Sequence, residues 1–319
     1  MDFAPVPALA KIVLLVVGAV VAAVALRGTP ARDRHDLWLL VIAGTVLLPL
    51  AGLLFPAYFF KVPATWVAIT EPRTARGAVL IGLVWAAGAV VAALRLVPGL
   101  VALRRIRARA TGLGRPDATE ALATAGRLAG VSRPVTLLVS AAVRVPATWG
   151  VRRPVVALPA AAVHWSVERL RLVLLHELLH VRRRDVMVEI LLEAVTVVFW
   201  FHPAVWLAAG RVRLERERTC DEAVIDTGAR ASEYCAHLVE IMRAAAHGSG
   251  IVVGAGMAAP STLEYRVRAL LDEPRAREDR GRGRGGRGGR GHLALRALVF
   301  VAGAAAIYGL GMLTPCLHP

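Results

Sequence analysis

The chain has 319 residues, 56% hydrophobic and 19% charged, with a mean hydropathy of +0.57; that balance excludes an ordinary soluble domain and points to a membrane protein. Its formal charge of +16, almost all from Arg, suits anionic lipid or nucleic acid, and only the placement of the basic residues decides between them. Cys220, Cys235 and Cys316, widely spaced, exclude a disulfide framework and a CxxC zinc site.

The first 103 residues predict a membrane domain with three spans, at about 8–26, 37–60 and 78–97. Each is apolar enough and long enough, at about 1.5 Å per residue, to cross about 30 Å of hydrocarbon. The first is not a cleavable leader, because acidic Asp2 precedes it and Arg27 ends it. Pro49 and Pro56 in the second are tolerable where neighbouring helices satisfy the freed backbone groups. Arg95, Arg104, Arg105, Arg107 and Arg109 follow the third span, which predicts a cytoplasmic location there and an N-terminus outside.

Residues 104–274 then read as a small α+β cytosolic domain. Asp117 and Glu120 resemble a capping box opening a helix to about Leu128. Pro134 to Val139 and Pro154 to Leu158 read as strands around a loop marked by Pro146, Trp149 and Gly150. Ser166 is placed to cap a helix with Glu168 in its first turn. That helix contains His176-Glu177-Leu178-Leu179-His180. Positions four apart share a helix face, so the two imidazoles can hold one zinc ion while Glu177 accepts a proton from the attacking water.

Residues 186–209 pass for another span, but Glu189 and Glu193 lie within them and His202-Pro203 interrupts them. A straight crossing would also carry later ligands about 30 Å from the two His. A helical hairpin is predicted instead, turning at His202-Pro203 and either buried or dipped into the cytoplasmic leaflet. Its polar groups are expected to be satisfied internally. The second helix runs into Arg213 to Glu222, where Glu217 and Asp221 share a face. One of these carboxylates can complete the zinc shell while the other orients an imidazole through its second nitrogen. Asp185 is placed to brace the site, though after Arg182-Arg183-Arg184 it reads first as an ion-pair partner or helix end, and Cys220 reads as a small buried residue.

Helices are predicted over Ser232 to Ala246 and Ser261 to Leu271. Residues 275–291 are an Arg/Gly linker, 292–313 a fourth span, and 314–319 an extracytoplasmic tail. The linker has no aromatic residue to stack on bases and directly precedes a span. It reads as a topology determinant that attracts anionic lipid, and nucleic acid is not an expected partner. The fold class is thus a mainly α, polytopic plasma-membrane protein: four transmembrane helices plus a zincin-like α+β peptidase domain on the cytoplasmic side.

With both halves of the site placed, the sequence resembles the BlaR/MecR-type membrane metallopeptidases, a gluzincin-like family that includes the sensor-transducers of β-lactam resistance. The resemblance covers most of residues 135–225: Pro146, Gly150, Arg153-Pro154 and Leu158-Pro159, then HELLHVRRRD (176–185), FHPAVW (201–206) and ERERTCDEAV (215–224). It implies that His176, His180 and Glu217 bind one catalytic zinc, that Glu177 is the catalytic base, and that Asp221 supports a ligand from behind. It also implies three spans before a cytosolic peptidase domain and one after. The implied substrate is a cytosolic repressor, or the chain itself, cut during transmembrane signalling. The family's β-lactam sensors continue into a penicillin-binding domain, whereas this sequence ends soon after its fourth span. Input is therefore expected from a sensor partner, a lipid-derived signal, or the loops at 61–77 and 314–319. A non-catalytic, zinc-stabilised signalling scaffold is the main rival reading. Tyr234, His237 and nearby Arg residues stand unranked as candidates for stabilising an oxyanion.

Overall fold

The computed structural model describes residues 3–5, 16–17, 20, 30–54, 61–63, 75–247 and 262–272. Most of the span expected at 8–26, the linker at 275–291 and the span at 292–313 lie outside these residues. The described part is mainly helical with a small sheet.

Two short strands, β1 (Phe3–Pro5) and β2 (Lys61–Pro63), pair antiparallel. Helix α1 (Ala31–Leu54) begins six residues before the expected start at 37. The charged stretch Arg32 to Asp36 suggested a loop, but the structure gives its charges partners. Arg34 Nε donates to Glu215 Oε2 at 3.0 Å, with both side chains only 4% exposed. The Ala31 amide donates to Glu222 Oε2 at 3.0 Å. Arg183 Nη2 lies 3.4 Å from His35 Nε2. A buried charge is tolerable only with such a partner.

Helix α2 (Ala75–Leu94) turns at Arg95-Leu96, ahead of Pro98, into α3 (Val97–Arg109). Among the described residues the Val79–Arg109 run is the one helical stretch long and apolar enough to cross a membrane, and almost none of its surface is buried.

Helix α4 (Pro116–Ala129) departs from the expected capping box. Pro116 occupies its first turn and Arg115 is the cap residue, while Asp117 already lies inside the helix and pairs with Arg115 at 2.5 Å. Pro fits the first turn because the amide it lacks would be unpaired there. Ala118, Ala121, Ala125 and Ala129 form its buried stripe and allow close packing on the motif helix.

The sheet has order β3-β5-β4, with β3 (Thr136–Ser140) parallel and β4 (Ala147–Trp149) antiparallel to the central β5 (Val155–Pro159). β5 is buried along its whole length. Both of its edges are paired; the outer edges of the sheet belong to β3, which Thr111 bridges at Val139, and to β4. β4 was read as loop because it is three residues long and bracketed by Pro146 and Gly150. Gly150 (φ +91°) makes the turn to β5, and a Cβ there would lie 2.4 Å from the Arg153 carbonyl.

Helix α5 (Val167–Arg183) carries the motif. Its cap is Ser166, whose side chain accepts from the Arg169 amide. Arg184, in the left-handed region at φ +58°, closes α5 and opens α6 (Asp185–Val198). The hairpin turns over Phe199 to His202, where the His-Pro pair indicated, and α7 (Pro203–Asp226) returns. α8 (Ala231–His247) and α9 (262–272) complete the described chain.

Two main hydrophobic clusters result. One joins α4, the sheet, α5, the end of α7, α8 and α9. The other joins Trp38, Val41 and Ile42 of α1 to Leu192, Val195, Val205, Ala208 and Val212 of the hairpin. α7 takes part in both, which fixes the distance between α1 and the motif helix.

Candidate metal centre

The left-handed Arg184 lets α6 leave α5 sharply, and α7 returns beside α5 with Glu217 opposite the two motif histidines. The Nε2 atoms of His176 and His180 lie 3.2 Å apart. Glu217 Oε2 is 3.5 Å from the first and Glu217 Oε1 is 3.5 Å from the second. All three residues can offer one atom to a common ion. Two nitrogens about 2.0–2.1 Å from a tetrahedral zinc would lie about 3.3 Å apart, close to the spacing found. Glu217 Oε1 is buried without a hydrogen-bond partner among the described residues. An orphaned carboxylate oxygen beside two imidazoles fits a divalent cation.

A second triad, His180, Asp185 and Cys220, also clusters. Its shortest separation, His180 Nδ1 to Asp185 Oδ2 at 2.7 Å, is that of a hydrogen bond. Asp185 therefore braces the far nitrogen of His180, while Arg183 Nε approaches its other oxygen at 3.3 Å. The ion-pair reading of Asp185 accounts for the second contact, and the less favoured bracing reading for the first. Burial would raise the Asp185 carboxyl, but the His180 hydrogen bond and neighbouring cations leave it below the usual range. Cys220 is fully buried, and burial pushes its thiol well up.

Behind His176 stands a denser network. Tyr234 Oη lies 2.8 Å from His176 Nδ1 and donates to Asp221 Oδ1 at 2.8 Å, while Nδ1 itself is 3.2 Å from Asp221 Oδ1. Because the hydroxyl proton goes to Asp221, the hydroxyl oxygen is free to accept from Nδ1–H, which turns Nε2 toward Glu217. Arg266 of α9 donates to both Asp221 oxygens at 2.7 Å and comes within 3.4 Å of Glu217 Oε2. Burial would raise Asp221 and Glu217. The Arg266 charge heads the opposing causes for Asp221 and the His180 charge those for Glu217, and both carboxyls end below the usual range. Burial would lower His176, yet hydrogen bonds to Asp221 and Glu217 outweigh it and raise the imidazole to about 10. Burial pushes the Tyr234 hydroxyl well up.

Tyr234 thus stands behind a histidine, which is not where an oxyanion would form. His237 instead accepts from Arg169 Nε at 3.1 Å.

Glu177 is 7% exposed, and its Oε2 accepts from Thr148 Oγ1 of β4 at 2.6 Å. A cleft runs past this side of the cluster, lined by Thr148, Gly150, Val151, His180, Val186 and Met187. It lies between the free edge of β4 and the α5–α6 corner. Of the other carboxylates in this stretch, Glu215 is committed to Arg34 and Glu222 binds the start of α1.

Comparison with known proteins agrees with this geometry. The sequence model of the BlaR1 peptidase M56 family matches residues 7–270. The chain belongs to this family. Membership places the cluster in a metallopeptidase family. The regulatory protein BlaR1 of Bacillus licheniformis is 38% identical over 93 residues, which are 29% of this chain and 16% of that protein. The chain therefore matches less than a fifth of that relative's length.

Arg266 and Thr148 were absent from the sequence reading of the site. Thr148 could have been found from its place beside Pro146 and Gly150, two of the quoted landmarks. Arg266 carries no such signal, being one of 39 basic residues.

Proposed function

We propose that this protein is a membrane-embedded zinc metalloendopeptidase that cuts a cytosolic protein, of the repressor type, or itself during transmembrane signalling. The observation that carries the reading is the convergence of His176, His180 and Glu217 from two helices, with Glu177 next to His176 in the motif and held by Thr148, which lines the adjacent cleft with His180. His176, His180 and Glu217 would hold the ion, which when bound supplies Lewis acidity to the water and the scissile carbonyl. Glu177 takes the proton of the attacking water and returns it to the leaving amine. Thr148 holds the carboxylate in place through its hydrogen bond to Oε2. Asp221, through Tyr234, and Asp185 hold the two imidazoles in register. An extended peptide can lie along the free edge of β4, next to Glu177.

Only three protein ligands converge among the described residues, and a catalytic zinc keeps a position open whereas a structural one is usually closed by four. This argues against the scaffold reading. On this proposal α2 crosses the plasma membrane, with α1 as a second span, and the peptidase cleft faces the cytoplasm.

The test compares cellular protein N-termini, and the zinc content of the purified protein, between wild type and Glu177→Gln. New N-termini present only in the wild type, with zinc bound to both proteins, are expected and would identify the substrate. Intact signalling in the Gln variant would sink the enzymatic reading and leave the scaffold.

A further inference from the structure

The α6–α7 hairpin has two unlike surfaces. Its inner face is packed against α1. Its outer face leaves Ile190, Leu191, Val198, Phe201 and Leu207 between 41% and 57% exposed. An apolar surface of this extent calls for an apolar neighbour.

The attachment of the tip shows which neighbour. Trp85 Nε1, midway along α2, donates to the Val198 carbonyl at 3.0 Å, and Trp200 Nε1 donates back to the Trp85 carbonyl at 3.2 Å. Gly88 lets the Trp200 ring lie against the α2 backbone; a Cβ there would come within 2.1 Å of the ring. The hairpin tip is therefore fastened to the middle of the most apolar and most exposed helix described.

Charge placement gives the depth. Arg95, at the end of α2, donates to Glu193 and Thr196 at 2.6 and 2.7 Å, and Arg213 donates to Glu189 and Glu193 at 2.8 Å. These pairs form a belt partway along the hairpin, between its base at Val186 and its tip at Phe199. From 194 to 210 the sequence has no Asp, Glu, Lys or Arg, and exposed Arg211 marks the return to the belt. The ten residues from Arg95 back to Trp85 rise about 15 Å, half of a hydrocarbon core of about 30 Å.

Polar satisfaction agrees. Trp206 Nε1 donates to the Trp200 carbonyl at 2.9 Å, so the indole N–H groups of Trp85, Trp200 and Trp206 all end on protein carbonyls. Unpaired donors are what a hydrocarbon environment penalises.

We propose that the α6–α7 hairpin is a re-entrant membrane element: its tip sits within one leaflet beside α2, and lipid acyl chains cover its outer face. The inference rests on the reading of α2 as a span. It sets the cleft at Val186 and Met187, the base of the hairpin, against the bilayer surface. The peptidase is then suited to polypeptide held at the membrane.

The experiment uses the full chain with Cys316→Ser in nanodiscs of phosphatidylcholine and phosphatidylglycerol, leaving the buried Cys220 and Cys235 unreacted. Single nitroxide labels are placed through Phe201→Cys, Leu207→Cys, Val84→Cys on α2, and Arg230→Cys, whose parent side chain is 80% exposed. Collision with oxygen and with a neutral nickel chelate is then compared. At 201 and 207 oxygen is expected to dominate several-fold, as at 84, with the reverse at 230. Nickel dominance at 201 and 207 with oxygen dominance at 84 would overturn the hairpin proposal alone. Nickel dominance at 84 as well would overturn the membrane reading of α2 with it. Shielding of 201 and 207 from both reagents would mean protein cover and would also overturn the proposal. Two label sites on separate parts of the hairpin keep the test intact if one variant fails to fold.

Discussion

The hydroxyl of Thr148 lies 2.6 Å from Glu177 Oε2 and joins the edge strand directly to the motif helix. A hydrogen bond to a charged group is worth about 1.5–3 kcal/mol. Thr148→Val is therefore expected to lower kcat by about tenfold or more with zinc content unchanged, and Thr148→Ser to restore it. A Val variant that loses zinc, or changes only KM, would refute this positioning role.

Tyr234 bridges His176 and Asp221, taking a hydrogen bond from one while giving one to the other. Tyr234→Phe removes that link without opening a large cavity. Loss of such an outer partner typically weakens metal binding about 10–100-fold. Chelator competition on the purified variant measures it, and wild-type affinity would show that the direct contact of Asp221 with Nδ1 suffices.

Proton and metal compete for His176. Its value of about 10 is above the ordinary 6.5, so in the metal-free protein its contribution to stability is fully present below 6.5 and lost as the pH rises through about 10. Asp221 has the opposite sign: its carboxyl is depressed, so its contribution is present above 3.8 and lost as the pH falls through its lower folded value. Zinc requires Nε2 without its proton. Zinc affinity is thus expected to rise by about tenfold per pH unit between pH 6 and 8. Competition titrations across that interval check it, and a flat profile would mean that the imidazole is already neutral.

Arg266 is 7% exposed and meets Asp221 with two donors. Breaking a buried pair from one side costs about 3–5 kcal/mol. Arg266→Met should destabilise the metal-free protein by that order in thermal unfolding, and Arg266→Lys by less, since an ammonium keeps the charge and loses the fork. Equal melting temperatures for all three would contradict the assignment.

The two halves of the site were legible because each carries its own spacing: His176 to His180 and Glu217 to Asp221 are single helical turns, and His202-Pro203 marks the fold-back between them. Helical spacing already turns Glu215 and Glu222 away, and α1 claims both; Glu217 is told from Asp221 only in three dimensions, where Asp221 is held by Tyr234 and Arg266. Thr148 was hidden by the shortness of β4, which gives no alternating pattern to read. Arg266 arrives from a helix far along the chain, and nothing local distinguishes it from its basic neighbours. The early start of α1 was missed for a related reason: Arg34 and His35 look like loop residues until Glu215 and Arg183 are known to face them.

The attachment of α1 to α7 bears on biogenesis. Arg34 and Glu215 are 181 positions apart, so the ribosome makes α1 long before the helix that carries Glu217. Until α7 reaches its seat beside α1, Glu215 lacks its Arg34 partner and keeps only Arg218, one turn along at 3.6 Å, and the third ligand has no fixed place. A nascent or truncated chain is therefore expected to be proteolytically silent, and competence arrives only with completed membrane assembly. A fragment starting at Arg104 should bind zinc substoichiometrically, and should regain it when residues 1–103 are co-expressed as a separate polypeptide.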